Sequence, residues 1–445
     1  MFGEIGSFFF QRFFMCSGIS ALIGLSVGIV LILRKFNPAY SLMFSALLAG
    51  LISGAELTQT VGWMLEGVRD MTPAIVRILA AGVLAGALVK TGAAEKIADS
   101  IIRGLGERNV LLALVLALFF LAVAGVFIDV AVVTAAPIAL AAAQRANLSQ
   151  SAVLLAMIGG GKAGNIVSPN PNTISAAEQF RAELSSVMAA NWLPALVGIG
   201  SSLFLAWILE CRNRRNAKGR ALTAEDAVSS GTEDAGEERS SSSEKLPNLM
   251  SALLGPLTAL GLLALRPLAG IPVDPLVALP VGGIVCILAS GHLRRFHESL
   301  DYGISKMSGV AILLVGTGTL AGIIKNSTLK DMVLDFLTWT DLPEVTLAPI
   351  SGAMMSAATA STTAGATIAS MSFAEAITTA GISAVAGAAM INAGATVLDH
   401  LPHGSFFHAT AGAVQMPIGE RLKLIPWETA VGFVLALVSL WANGM

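Results

Sequence analysis

The sequence predicts an all-α integral membrane protein made of two inverted-topology repeats, each with about five transmembrane helices plus a re-entrant hairpin and a broken helix. Three observations predict it. Of 445 residues, 55% are hydrophobic and 13% charged, with a mean hydropathy of +0.75, whereas a soluble domain carries roughly a quarter charged residues. Apolar runs of spanning length recur along the chain, some continuous and others interrupted by helix-breaking polar sequence. Short motifs also return in the same order in the two halves.

A helix needs about 20 apolar residues to cross a hydrocarbon core of about 30 Å. Residues 17–33, 38–55, 73–91, 186–210, 248–267, 273–291, 308–325 and 426–442 meet that length. The opening "MFGEIGSFFFQRFFMC" lacks a basic leader and a small-residue cleavage site, so the first run reads as a retained span. Residues 110–144 and 344–373 are longer and interrupted, whereas 150–180 and 377–412 start apolar and then break down.

Basic residues orient the spans, because short cytoplasmic loops are enriched in them. Placing Arg34, Lys35, Lys96, Arg103, Arg108 and the cluster from Arg212 to Arg220 inside puts Arg294, Arg295, Lys306, Arg421 and Lys423 inside as well. Arg69, Arg181, Arg266 and Lys330 remain outside, and both termini are expected there. That scheme requires 110–144 to enter from the cytoplasm and return, and 344–373 to do so from outside.

The halves match in order: "VLAGALVKTG" (83–92) with "TLAGIIKNS" (319–327), and "AGNIV" (163–167) with "AGATV" (393–397). The expected organisation is a repeat over 1–210 with hairpin 110–144 and broken helix 150–180, and a second over 248–445 with hairpin 344–373 and broken helix 377–412. Between them, 211–247 is a Ser-, Glu- and Lys-rich cytoplasmic linker without apolar periodicity, expected to be disordered.

Composition also excludes functions. A net charge of −2 and the lack of basic stretches interleaved with aromatics argue against nucleic-acid binding. Cys16, Cys211 and Cys286 are too few and too scattered for a disulfide framework or metal cluster. "GGGKAG" is not a phosphate loop, since Ala follows the lysine and no strand precedes it. No His-Glu-x-x-His occurs, and Asp129 and Asp399 lack the glycine-rich setting of an intramembrane aspartyl protease. A channel is separated from a carrier by counterflow, which only a carrier shows.

Four polar islands carry the candidate chemistry. Asp129 stands at the first hairpin tip, where a carboxylate at membrane depth requires a partner; it is either a helix cap or a participant in substrate or proton handling. The second island, "GGGKAGNIVSPNPNT" (159–173), offers Asn165, Ser168, Asn170, Asn172 and Thr173 as donors and acceptors, and a half-helix near Thr173 whose positive end faces inward. Such backbone is tolerated at membrane depth only where protein or a wet cavity surrounds it. Lys162 is placed to pair with a substrate carboxylate, to neutralise Asp129 or to snorkel, and Gly159–Gly161 to allow close helix packing. Thr359, Ser361, Thr362 and Thr363 form the second tip, where hydroxyls either meet substrate or satisfy their own helix. Asp399, His400, His403 and His408 crowd "LDHLPHGSFFH", and imidazole titrates in the range useful for carrying a proton.

These pieces resemble the gluconate:proton symporter family of the wider ion-transporter superfamily. The matching segments are "VFIDVAVVTAAPIALAAA", "GNIVSPNPNTISAA", "ATASTTAGATIAS" and "LDHLPHGSFF". The resemblance covers most of the chain. It implies proton-coupled uptake of a sugar acid or related hydroxycarboxylate, a homodimer, and an elevator-like moving domain in the cytoplasmic membrane. The chain departs from gluconate carriers at "NIVSPNPNT", where they have histidine and paired prolines, and at Pro402 and His403, where they have Asn-Asp.

The resulting expectation is a carrier without a resident cofactor, whose two tips and two unwound segments converge on one cavity. Asn165, Ser168, Asn170, Asn172, Thr173, Thr359, Ser361, Thr362 and Thr363 would bind the substrate, with Lys162 or helix ends offsetting its charge. Asp129 with Asp399, His400 or His403 would carry the coupled proton. The alternative is a sodium-coupled di- or tricarboxylate carrier.

Overall fold

The computed structural model describes residues 18–216, 246–329, 331, 332, 335 and 343–444. The start of the chain and most of the linker expected over 211–247 lie outside these residues. The described elements are helical. Among the described residues six helices are long and apolar enough to cross a bilayer, and large apolar side chains such as Phe44, Leu257, Ile312 and Trp441 face outward, as in a multi-pass membrane protein.

The first half runs α1 (Gly18–Leu33), α2 (Pro38–Ile52), α3 (Leu57–Lys90), α4 (Ala93–Leu105), α5 (Val110–Val123), α6 (Ile128–Arg145), α7 (Gln150–Asn165), α8 (Pro171–Gln179), α9 (Leu184–Ala190) and α10 (Trp192–Asn216). The second runs α11 (Leu249–Ala269), α12 (Pro275–Ala289), α13 (Phe296–Lys325), α14 (Leu347–Thr359), α15 (Thr362–Thr379), α16 (Ala384–Gly394), α17 (Ser405–Ala413), α18 (Ile418–Leu422) and α19 (Ile425–Asn443). Local chemistry starts many of them. Asn37 and Asp274 cap α2 and α12 with their side chains, each followed by a proline in the first turn, and Ser149, Ser361 and Ser383 cap α7, α15 and α16.

Two spans are longer than their apolar runs predict. Residues 73–91 belong to the 34-residue α3 and 308–325 to the 30-residue α13. The extra turns carry Glu66, Asp70, Glu298 and Lys306, which read as span ends in sequence. In the fold Lys325 bonds Glu66 (2.9 Å) and Asp70 (3.0 Å), and Lys90 pairs with Glu298 (3.0 Å), so these charges are settled sideways between the two helices. The run 186–210 is divided at Asn191 into α9 and α10.

The packing sorts the helices into two groups. α3 and α13 pack along their lengths, flanked by α1, α2, α11 and α12; α5–α10 pack with one another and with α14–α19. α4 joins them, seated against α5, α6 and α11. At its glycines α3 meets α13 backbone to backbone: a methyl on Gly322 would overlap the Trp63 carbonyl, and one on Gly303 the Gly82 carbonyl.

Residues 110–144 form the helix pair α5 and α6, and 344–373 forms α14 and most of α15, each pair joined by a tight turn. The first limbs have 14 and 13 residues, roughly 21 and 20 Å of helix, less than a hydrocarbon core requires. Both broken helices are present. α7 ends inside "AGNIV" and resumes as α8 after five residues; α16 ends inside "AGATV" and α17 starts at Ser405.

Candidate functional site

The first break is delivered by a helix enclosed on every side. All of α7 from Ala152 to Asn165 is buried, as its apolar circumference requires. Gly160 lies against the backbone at Val115 and Gly164 against that at Phe119, one turn apart on α5. The Gly159–Gly161 run therefore packs helices, with Gly159 held against Ser202.

Lys162, in the last turn of α7, is fully buried. Its Nζ lies 2.7 Å from Asp399 Oδ1, 2.6 Å from the Thr396 carbonyl and 3.0 Å from His400 Nδ1. An ammonium has three N–H donors, and here all three have acceptors. His400 Nε2 lies 3.1 Å from the Ile425 carbonyl, which can only accept, so Nε2 carries a hydrogen; Nδ1, which also lies 3.2 Å from Asp399 Oδ1, accepts from the lysine when the ring is neutral. Thr429 Oγ1 is also 3.1 Å from Nε2. The other oxygen of Asp399 accepts from Thr362 Oγ1 at 2.6 Å. One buried chain thus runs from the first break, through the second, to the second hairpin tip.

The first break is held by amides. Asn170 donates to Asn165 Oδ1 (2.7 Å), Ser168 to the Asn165 carbonyl (3.0 Å), and Thr173 leans on that carbonyl at 3.5 Å. Asn172 donates to Asn392 Oδ1 (2.8 Å), while Asn392 donates to Thr173 Oγ1 (3.1 Å) and the Ile166 carbonyl (3.3 Å). Asn191 braces the same region, donating to the Ala389 carbonyl at 3.1 Å and accepting from Ser439 at 3.0 Å. The polar side chains of this network are all buried and all have partners, as burial demands.

Each tip touches its own half's break. Gly125, in the α5–α6 turn with φ +96°, brings the backbone beside the Asn170 side chain, and Gly404 packs against the Ala360 carbonyl. The expected convergence is therefore of two tips and two breaks on a packed polar centre, closed to solvent in this conformation.

Several candidates stand apart. Asp129 lies in the first turn of α6, whose N-cap is Phe127, so it is not the cap; its Oδ1 accepts from the adjacent Val130 N–H (2.9 Å), with Lys306 of α13 as its electrostatic neighbour. Lys162 neutralises Asp399, not Asp129. Thr359 bonds the Met355 carbonyl at 2.8 Å, satisfying its own helix, and Ser361 caps α15. Thr363 is half-buried one residue beyond Thr362. The three histidines do not cluster: exposed His408 donates to the Pro402 carbonyl at 2.8 Å, and half-buried His403 has a buried, unpartnered Nε2.

The residues missed by sequence reasoning are Asn392, Thr396, Asn191 and Thr429. Asn392 had a signal, since extending the "AGNIV"/"AGATV" match back one residue pairs it with Lys162. Arg421, read as a free cytoplasmic charge, is fully buried. It pairs with the equally buried Glu428, bonds Thr410 and stacks on Phe407.

Interrupted helices meeting around a charged, buried centre inside a bundle of membrane-spanning helices are the construction of secondary transporters, and this protein is a membrane transporter, not an enzyme. The chain belongs to the GntP permease family, whose model matches residues 17–445. A Haemophilus influenzae protein described as an uncharacterized transporter is 52% identical over 95% of this chain and 97% of its own length. The high-affinity gluconate transporter of Escherichia coli is 21% identical over 90% of this chain and 94% of its own. Among solved structures, the Alcanivorax borkumensis YdaH transporter superposes with a TM-score of 0.56 at 16% identity, covering 86% of this chain and 87% of that one, a likeness of fold.

Proposed function

We propose that this protein is a proton-coupled importer of gluconate or a hydroxycarboxylate of similar size, and that coupling works by exchange of the partner of Lys162. The carrying observation is that all three donors of the buried ammonium are occupied, one by Asp399. A substrate carboxylate reaches Lys162 only when Asp399 lets go. Protonation of Asp399 weakens its hold on the ammonium, and the incoming carboxylate takes its place as counter-ion. The proton resides on Asp399 during the crossing, with Thr362 holding the second oxygen. The amides and hydroxyls of the first break, Asn165, Asn170 and Thr173, meet the hydroxylated chain, and the α8 N-terminus faces its negative charge.

Movement follows the two packing groups: α5–α10 with α14–α19 carry the centre past the group around α3 and α13, in an elevator-type cycle. In this reading the helix pairs are re-entrant hairpins, the halves are inverted repeats, the protein is a homodimer, and the termini lie outside. Support comes from the short first limbs of the pairs, the recurring element order and the relatives named as gluconate transporters.

Purified protein in proteoliposomes, with the outside acid and sodium absent, is expected to accumulate labelled gluconate or a related sugar acid. A strict requirement for sodium, or uptake indifferent to the pH gradient, rejects proton coupling.

A further inference from the structure

The boundary between the two helix groups carries ion pairs at one end of α11 and α12. Arg77 of α3 makes a two-pronged contact with Asp274, the cap of α12: Nε to Oδ1 at 3.0 Å and Nη2 to Oδ2 at 2.6 Å. Its remaining nitrogen, Nη1, bonds Glu178 in the last turn of α8. Five residues on, Glu183, just before α9, pairs with Arg266 near the end of α11. Between them Gln179 donates to Met71 Sδ of α3 at 3.3 Å. The end of α8 and the connector to α9 are therefore tied at three points, two on α3 and one on α11.

Arg77 has no repeat-mate. The match of "VLAGALVKTG" with "TLAGIIKNS" sets Arg77 opposite Leu313, an aliphatic side chain packed on the core. The match of the capped proline starts sets Asp274 opposite Asn37, which bonds the N–H groups of its own helix. In an inverted-repeat carrier the two end states exchange the environments of the two halves, so a contact present in one half and missing from the other stabilises one end state alone.

The geometry points to a one-sided latch: Arg77 and Arg266 hold Glu178 and Glu183, and with them the moving group, in the position seen here. With the 266–274 connector outside, the latched position is the outward one. The side chains are a quarter to a half exposed, so the latch is weak enough to release in each cycle. A bidentate arginine shared by two acids also gives it a defined geometry. This inference rests on the proposed movement between the groups, not on the identity of the substrate.

The test is a distance measurement that needs no transport assay. In a full-length chain with Cys16, Cys211 and Cys286 replaced, spin labels at exposed Gln144 of α6 and Asp301 of α13 report the separation of the groups by pulsed electron resonance in nanodiscs. Two distances are expected, the one in this conformation predominating. Arg77→Gln and Arg266→Gln should each shift the ratio toward the second distance by about two- to fivefold. Arg266→Glu should do the same, and Glu183→Arg added to it should restore the original ratio, which guards against a mere folding defect. Two distances whose ratio ignores both arginines overturn the latch and leave the movement standing. A single distance in every variant, with and without substrate, overturns both.

Discussion

Lys162 of α7 and Asn392 of α16 each stand immediately before an Ala-Gly pair, and each reaches out of its own half into the other's break. Lys162 bonds Thr396, Asp399 and His400, while Asn392 bonds Ile166, Asn172 and Thr173. The centre is thus cross-braced by one charged and one neutral strut. In the proposed mechanism the charged strut carries the coupled proton, while the neutral one braces the first break.

Removing one member of the buried pair leaves the other charge uncompensated, at a cost of about 3–5 kcal/mol. Lys162→Met and Asp399→Leu should each lower the thermal unfolding temperature in detergent sharply. The double variant should regain much of the loss while transporting nothing. Full stability in either single variant would show that the pair is not buried as described.

Coupling can be separated from binding with Asp399→Asn, which keeps the shape and mimics the protonated acid. Exchange of labelled for unlabelled substrate should persist, whereas uphill uptake driven by a pH gradient should vanish. In the proposed exchange Lys162 keeps one anionic partner with and without substrate, so a monocarboxylate should cross with one proton and no net charge. Uptake of such a substrate should be unchanged when a potassium diffusion potential is imposed with valinomycin.

The hydroxyls of the second tip are not equivalent. Thr362→Val removes a bond to a charged oxygen, worth about 1.5–3 kcal/mol, and should abolish pH-driven uptake. Thr359→Val breaks only a bond to its own helix, and uptake should stay within about twofold of the original, consistent with the small net worth of such bonds.

Glycine positions offer a structural control. Gly160→Val places methyl groups into the Val115 backbone and should drive α7 from α5, with loss of folded protein on size-exclusion chromatography. Gly62→Ala of α3 meets nothing within 4 Å. It should be neutral or stabilising by up to about 1 kcal/mol, the difference in helix propensity.

Acid should loosen the hold of α3 on the start of α12. Hydrogen bonding from Arg77 holds the Asp274 carboxyl below its ordinary value of 3.8. The folded-state value being the lower one, this contribution is complete above about pH 4 and fades as the pH falls further. An unfolding-temperature profile should show Arg77→Gln less acid-sensitive than the parent below that pH; identical profiles would remove the effect.

Breaks and tips were legible in the sequence because their cause is local. Proline, asparagine and glycine interrupt apolar helices wherever they cluster, as at Ser168–Thr173 and Leu401–Gly404. Partner choice was not legible. Asp129 and Asp399 are each a lone carboxylate in apolar sequence, and only the tertiary placement of Lys162 decides that the second is the counter-ion. Asn392, inside α16, and Asn191, at the junction of α9 and α10, are single polar residues in apolar sequence, indistinguishable by pattern from lipid-level packing. The full lengths of α3 and α13 were hidden for a related reason: Glu66, Asp70 and Lys325 end an apolar run in sequence yet neutralise one another across two helices in space.

The bare backbone contacts of Gly322 on Trp63 and Gly303 on Gly82 rivet α3 to α13 at two widely separated points. Helices joined that way can neither roll nor slide past one another without steric collision, so they act as a fixed beam to which both halves of the chain are fastened. In the proposed cycle the travelling part is consequently a composite drawn from both halves, and a lesion in either should stall the whole carriage.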